Sequence, residues 1–248
     1  MVYFELAPAG NKTGTFRILG EGHYSIIEDN DQMPLNYLLM SKHFRDKNSL
    51  SEIVRVGEFI LLLLRGYSIL IDANHEGFSP SLRGLYIDNK RETIESVNLD
   101  LNSIDDLLDQ EECSYDNNGV INAAFKPGFF RDILIYAGSG WNLANISRIN
   151  DELIAFVKAK GSRDRNFRSN EDFGRFQATA NNKSIGGYDA RHGSKYAGGK
   201  KYSKAPMNIE EASKYIINYL NAVLKEYYNF ELPVIWKDED INLDESFF

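Results

Sequence analysis

The sequence predicts an α+β protein, in which a small antiparallel sheet with one long buried helix comes first and a C-terminal helical bundle follows. Near the start, VYFELA, TFRILG and HYSIIE are short runs of β-branched and aromatic residues separated by Gly, Asn and Pro, the composition of brief strands joined by turns. Over 53–71, Ile53, Val56, Ile60, Leu63, Leu64 and Tyr67 recur at the three- and four-residue spacing of a single helical face. Beyond Gly119 helical spacing dominates, most clearly where Ile209, Ala212, Ile216, Tyr219, Leu220, Val223 and Tyr227 share one side.

Taken in order after the first strands, 33–44 is expected to be helical, and Ser49 or Ser51 is placed to cap the long helix. That helix carries Arg55, Glu58 and Arg65, charges that are costly at the centre of a bilayer, so a protein core is its expected surrounding. The stretches 82–88 and 91–99 read as strands joined by a turn at Asp88 and Asn89. Then 98–117 holds seven acids and no base, which marks the expected boundary between an N-terminal part, 1–117, and a helical domain, 118–230. Asp105, Asp106 and Asp109 lack the alternating ligands and central Gly of an EF-hand loop, so a solvated helix face is expected there and no metal.

Helix is expected over 120–136 with a break at Pro127 and Gly128, closed by Gly138, Ser139 and Gly140. An amphipathic helix over 141–158 comes next, buried through Ile146, Ile149, Leu153 and Val157 and ended by Gly161. A shorter one over 170–181 presents Phe173, Phe176 and Ala180. Pro206 bars helix before it, Asn208 caps the last helix, and Glu211 reaches back to complete a capping box. The acidic tail, 231–248, carries Pro233, Trp236, Phe247 and Phe248 and is expected to dock through its aromatic residues.

With 248 residues and 43% hydrophobic content the chain has ample material for a packed core. Its lone cysteine, Cys113, excludes an intramolecular disulfide, and acidic neighbours make it a poor nucleophile. The start, MVYFELAPAG, has no basic segment followed by an apolar run, so a cytoplasmic protein is expected, with no membrane association. His23, His43 and His75 are isolated and read as packing or surface residues. Charge is unevenly spread: 161–204 has ten Lys and Arg against four acids, a local +6 that leaves −14 on the rest of a chain whose net charge is −8. Such a band suits a polyanion, and solubility alone is the plainer account of it.

Catalytic spacing is mostly missing: there is no Walker A loop, HExxH, GxSxG or kinase signature. What remains is Arg191 beside His192 in the Gly- and Lys-rich loop 182–206. A histidine exchanges protons near neutrality and a guanidinium binds phosphate, which together could cleave or hold RNA. The competing assignment has Arg191 bridging helices to Glu171 or Asp172 while His192 caps a helix end.

The order Trp141-Asn142-Leu143, Phe176-x-x-Thr179-Ala180-Asn181, Ala190-Arg191-His192-Gly193 and Pro206-Met207-x-x-x-Glu211-Ala212 resembles a group of uncharacterised bacterial proteins of similar length, which carry ARHG and PMxxxEA ahead of a terminal helix. More distantly, helices flanking a loop with Arg and His resemble the HEPN superfamily, whose members often act as ribonucleases in bacterial antiviral defence. Active members usually place His four to six residues after Arg, and here the two are adjacent.

The resemblance implies an RNA-binding protein, either a metal-independent ribonuclease with His192 as general acid or base and Arg191 on the phosphate or a form that binds without cutting, with no cofactor and a homodimer. Arg163, Arg165, Arg168, Lys195, Lys200 and Lys201 would hold single-stranded RNA with Tyr196 stacking on a base. The alternative is a non-enzymatic subunit that docks onto a protein partner, with the ARHG motif structural.

Overall fold

The computed structural model describes residues 1–7, 24–29, 36–45, 47–72, 80–108, 121, 123–180 and 206–234. Strands β1 (Val2–Ala7), β2 (Tyr24–Asp29), β3 (Asn36–Ser41), β4 (Ser81–Ile87) and β5 (Lys90–Glu92) form one antiparallel sheet in the order β2-β3-β1-β4-β5. Side chains alternate as a sheet with one covered face requires: Phe4, Leu6, Tyr37, Leu39 and Leu85 are buried, and Tyr3, Glu5, Leu38 and Met40 between them are half-buried. The β4–β5 hairpin turns through Asp88 and Asn89 at φ 49° and 64°, the left-handed pair that a two-residue hairpin needs.

Two expectations are corrected by the sheet. Residues 36–41 are strand, not helix: Leu39 is paired with Phe4 on one side and Ile26 on the other. A short apolar run such as YLLM has no periodicity that separates helix from strand, and backbone bonding on both edges decides for strand. The second hairpin strand ends at Glu92, well short of Leu99: pairing with β4 runs only from Ile87–Lys90 to Leu85–Glu92, and among the described residues β5 is the sheet's outer strand. The run TFRILG lies outside the described residues.

Against the sheet lies α1 (Leu50–Ile71), whose cap is Ser49, its Oγ accepting from the Glu52 amide at 3.3 Å. The later helices are α2 (Phe129–Gly138), α3 (Leu143–Ala159), α4 (Asn170–Ala180) and α5 (Ile209–Tyr228). The chain enters α2 through Gly128 at φ 140°, immediately after Pro127. Where α1 and α2 cross, a glycine stands on each helix. A Cβ on Gly66 would lie 2.0 Å from the Leu134 carbonyl oxygen, and one on Gly138 would lie 2.2 Å from that of Leu62. The crossing is therefore backbone on backbone, and hydrophobic burial continues unbroken from Phe4 through Leu64, Leu134 and Val157 to Leu232.

The acidic stretch, as far as it is described, is anchored instead of lying as a solvated helix face. A 3-10 turn, Ile104–Leu107, buries Ile104 and sets Asp105 2.5 Å from Arg131. Arg131 is itself inside, donating through Nε to the Ala124 carbonyl at 2.9 Å and through Nη2 to that of Phe125. His43 is a packing residue, buried with its ring stacked on Phe125 at 4.9 Å. Among the described residues no group of His, Cys, Asp and Glu could hold a metal ion, and no helix is long and apolar enough to cross a membrane. Cys113, His23 and His75 lie outside the described residues.

In the bundle, α3 and α5 run in the same direction. Trp141 Nε1 donates to Ser213 Oγ at 2.8 Å, Tyr215 Oη to Asn150 Oδ1 at 3.1 Å, and further along the ring of Phe156 meets that of Tyr227 at 5.5 Å. Helix α4 runs against them, with Phe176 stacked on Tyr215 at 5.1 Å and Arg175 paired with Glu211 at 2.6 Å. At its end Thr179 Oγ1 accepts from the Met207 amide at 2.7 Å. Leu232 is buried and its amide donates to Asn221 Oδ1 at 2.9 Å, and the tail's Trp236, Phe247 and Phe248 lie outside the described residues.

Candidate nucleic-acid interface

At the C-terminal end of α3 the chain reverses through Gly161, at φ 75°, and the Ser162 amide returns to the Val157 carbonyl at 3.1 Å. The reversal lays 162–165 beside the last turns of the helix. Ile154, Lys158, Ser162, Arg163, Asp164 and Arg165 then line an open depression of about 370 Å³. Lys158, Arg163 and Arg165 are all exposed there. A cation in the last turn of a helix also complements the negative end of the helix dipole, so Lys158 has a local reason for its place.

The one carboxylate in the lining, Asp164, is already engaged. Arg168, one turn on, donates to it through Nη2 from beneath, with only 6% of its own side chain exposed and its guanidinium carbon 3.4 Å from the centre of the Phe173 ring. Arg168, one of the expected nucleic-acid contacts, thus lies against Asp164 and Phe173 with little of its side chain exposed. The same side chain that the sequence places among surface cations is drawn inward by a carboxylate four residues back and an aromatic face five residues on. Arg175, another cation of the basic band, is also committed, joining α4 to α5 through Glu211.

Because α4 runs opposite to α3, Arg163 and Arg165 lie near its first residues, and its last turn, at Thr179, is tied to Met207. Eleven residues of helix separate the two places by about 16 Å. Arg191, His192, Lys195, Tyr196, Lys200 and Lys201 lie outside the described residues.

Aromatic faces occur on the far flank of α3. Phe156 stacks on Phe129 at 4.2 Å and lies near Tyr228 at 6.0 Å, with Lys160 Nζ 5.3 Å over its ring. At 100° per residue, Phe156 and Lys160 fall on one side of the buried stripe and Ile154 and Lys158 on the other. The end of α3 therefore carries cations on both flanks and half-buried aromatic rings on one of them.

Sequence reasoning missed Lys158, Lys160 and Ser162, which precede or open the basic band. The signal was present in Gly161: a helix-ending glycine folds the next few residues back onto those one turn before it. Comparison with protein-family models, with curated proteins and with solved structures finds no match for this chain.

Proposed function

We propose that this protein binds single-stranded RNA along the C-terminal end of α3. The observation that carries this reading is the depression itself. Lys158, Arg163 and Arg165 surround it while its single lining carboxylate is held by a guanidinium from below, so a phosphate meets three exposed cations and one neutralised acid. Rings around Phe156 offer stacking faces to bases as a strand passes round the helix end. An acidic remainder of −14 favours a confined contact over general adhesion to nucleic acid.

Cleavage is the further part of the proposal. With Arg191 on the phosphate and His192 moving the proton, no metal is needed, and the adjacency of the two supports holding a phosphate as much as cutting beside it.

A second reading has its own support. Arg168 and Arg175 belong to the basic band and both hold helices together, so the ARHG motif has a structural precedent within the same segment. In that reading the protein is a non-enzymatic subunit.

Fluorescence anisotropy with a labelled single strand, on wild type, Arg163→Ala/Arg165→Ala and His192→Ala, separates these. RNA binding at the depression predicts weaker binding for the double variant at unchanged melting temperature. Cleavage by wild type that is lost in a normally folded His192→Ala supports the ribonuclease. Absent binding together with a lowered melting temperature for His192→Ala supports the structural subunit and rejects the proposal.

A further inference from the structure

Helices α2 and α3 run antiparallel along one seam, and two contacts fix its register. The Phe129 ring stacks on that of Phe156 at 4.2 Å, and two turns along, the Arg148 guanidinium lies 5.7 Å over the Tyr136 ring. Asp132 is one turn in from Phe129 and Glu152 one turn in from Phe156, so the two carboxyls stand opposite each other midway between the contacts. At 100° per residue Glu152 falls in line with Arg148 and Phe156. Across from it, Asp132 takes the solvent side of the seam and the buried Ile133 the core side.

Both carboxyls are half-buried, and among the described residues neither receives a hydrogen bond or an ion pair. The cations closest in sequence are engaged elsewhere: Arg131 with Asp105 and the carbonyls of Ala124 and Phe125, Arg148 with Asn145 Oδ1 at 3.1 Å. Helix α1, packed on α2 at Gly66 and Gly138, brings Glu58 and Arg65, and Arg65 acts on Glu58. Helix α5 sets the Tyr228 ring near that of Phe156, and its Lys225 is paired with Glu231. What remains at the seam is acid facing acid. Burial lifts the Glu152 carboxyl above its ordinary value, and Asp132 and Asp151 lift it further. Burial lifts Asp132 too, against the pull of Arg131, and Tyr136 feels both carboxylates.

We propose that Asp132 and Glu152 hold one proton between them and that this proton fastens the α2–α3 seam. With it the pair carries one charge instead of two, and the protonated carboxyl is a donor to its neighbour. Without it two carboxylates oppose each other in a half-buried place, with no cation bonded to either. For acids raised on folding, the unfolded chain gives up its protons first. The penalty on the fold is absent below the ordinary values, 3.8 for Asp132 and 4.5 for Glu152, and grows as pH rises through the higher folded values of the pair. The seam is therefore firmest in mildly acidic solution. This device is independent of RNA binding at the depression, and either can fail without the other.

The test uses full-length Asp132→Asn, Glu152→Gln and the double variant, changes of equal shape that remove charge and strip no partner. Urea denaturation at constant ionic strength, from about pH 4.5 to about pH 8, follows their stability. At the upper pH each single variant should be more stable than wild type, its unfolding equilibrium constant lower by at least about twofold. The double variant should gain less than the two singles together, because either change alone ends the repulsion. These differences should fade toward the ordinary carboxyl value near 4.5. NMR titration of the labelled Glu152 carboxyl should show it losing its proton at lower pH in Asp132→Asn than in wild type. Additive gains at the upper pH overturn the proposal, since the carboxyls then do not sense each other. So do single variants less stable than wild type there, or a Glu152 titration that Asp132→Asn leaves unmoved. Stabilisation of wild type by magnesium or calcium chloride beyond sodium chloride at equal ionic strength, lost in the double variant, overturns it as well and makes the pair a cation site.

Discussion

The buried Arg131 uses its guanidinium fully, and that use has a measurable result. Arg131 serves the Asp105 carboxylate and the carbonyls of Ala124 and Phe125, fixing the approach to α2. Arg131→Met should lower unfolding stability by about 3 kcal/mol, because acceptors are left inside without a donor, and Arg131→Lys should restore only part of this for lack of a planar fork. Urea titration of the three proteins measures both. Glu211 gives a pH signature. Its carboxyl is held below the ordinary value of 4.5 by the hydrogen bond from Arg175 and then by the Asn208 amide. A depressed acid stabilises the fold fully only well above 4.5, and that contribution fades as pH falls through the lower folded value. Burial raises Glu58 and Glu152, so protonating them acts in the opposite sense. The signature is therefore the difference between wild type and Glu211→Gln, which should shrink from neutral pH downward in thermal melts.

At the scale of elements, helix ends were legible in the sequence because their signals are local. Asn208 and Glu211 form the capping box they spell, and Asn208→Ala should cost about 1 kcal/mol. The hairpin turn at Asp88 and Asn89 was legible for the same reason, since few residues accept positive φ at both positions. What decided β3 lay elsewhere in the chain: Asn36–Ser41 is a strand because β1 and β2 flank it, and no window around Leu38 contains that information. The α1–α2 crossing was illegible too. Gly66 inside an apolar helix reads as a small loss of propensity until Leu134 is known to lie against it. Gly66→Ala and Gly138→Ala should each destabilise by at least about 3 kcal/mol, since the added carbon meets backbone that cannot swing away. Chemical denaturation checks this, and a cost near that of an ordinary surface substitution would mean the helices are further apart.

At the scale of the whole molecule, the composition change near Gly119 suggests two parts, yet α1 from the first half packs directly on α2 from the second. The basic band was legible as a count of charges and not as a set of contacts: among the described residues, Arg168 and Arg175 are turned to structural use, each paired with a carboxylate. What survives of it among the described residues, joined by Lys158, is the depression at the end of α3. The most direct test of RNA binding there is the salt dependence of affinity for a labelled single strand, measured for wild type and Arg163→Ala/Arg165→Ala. Each phosphate contact contributes about 0.7 to the slope of log affinity against log salt for a single strand. The account predicts a clear negative slope for wild type that becomes shallower by about 1.4 in the double variant. Equal slopes for the two proteins, or no binding at low salt, would contradict it.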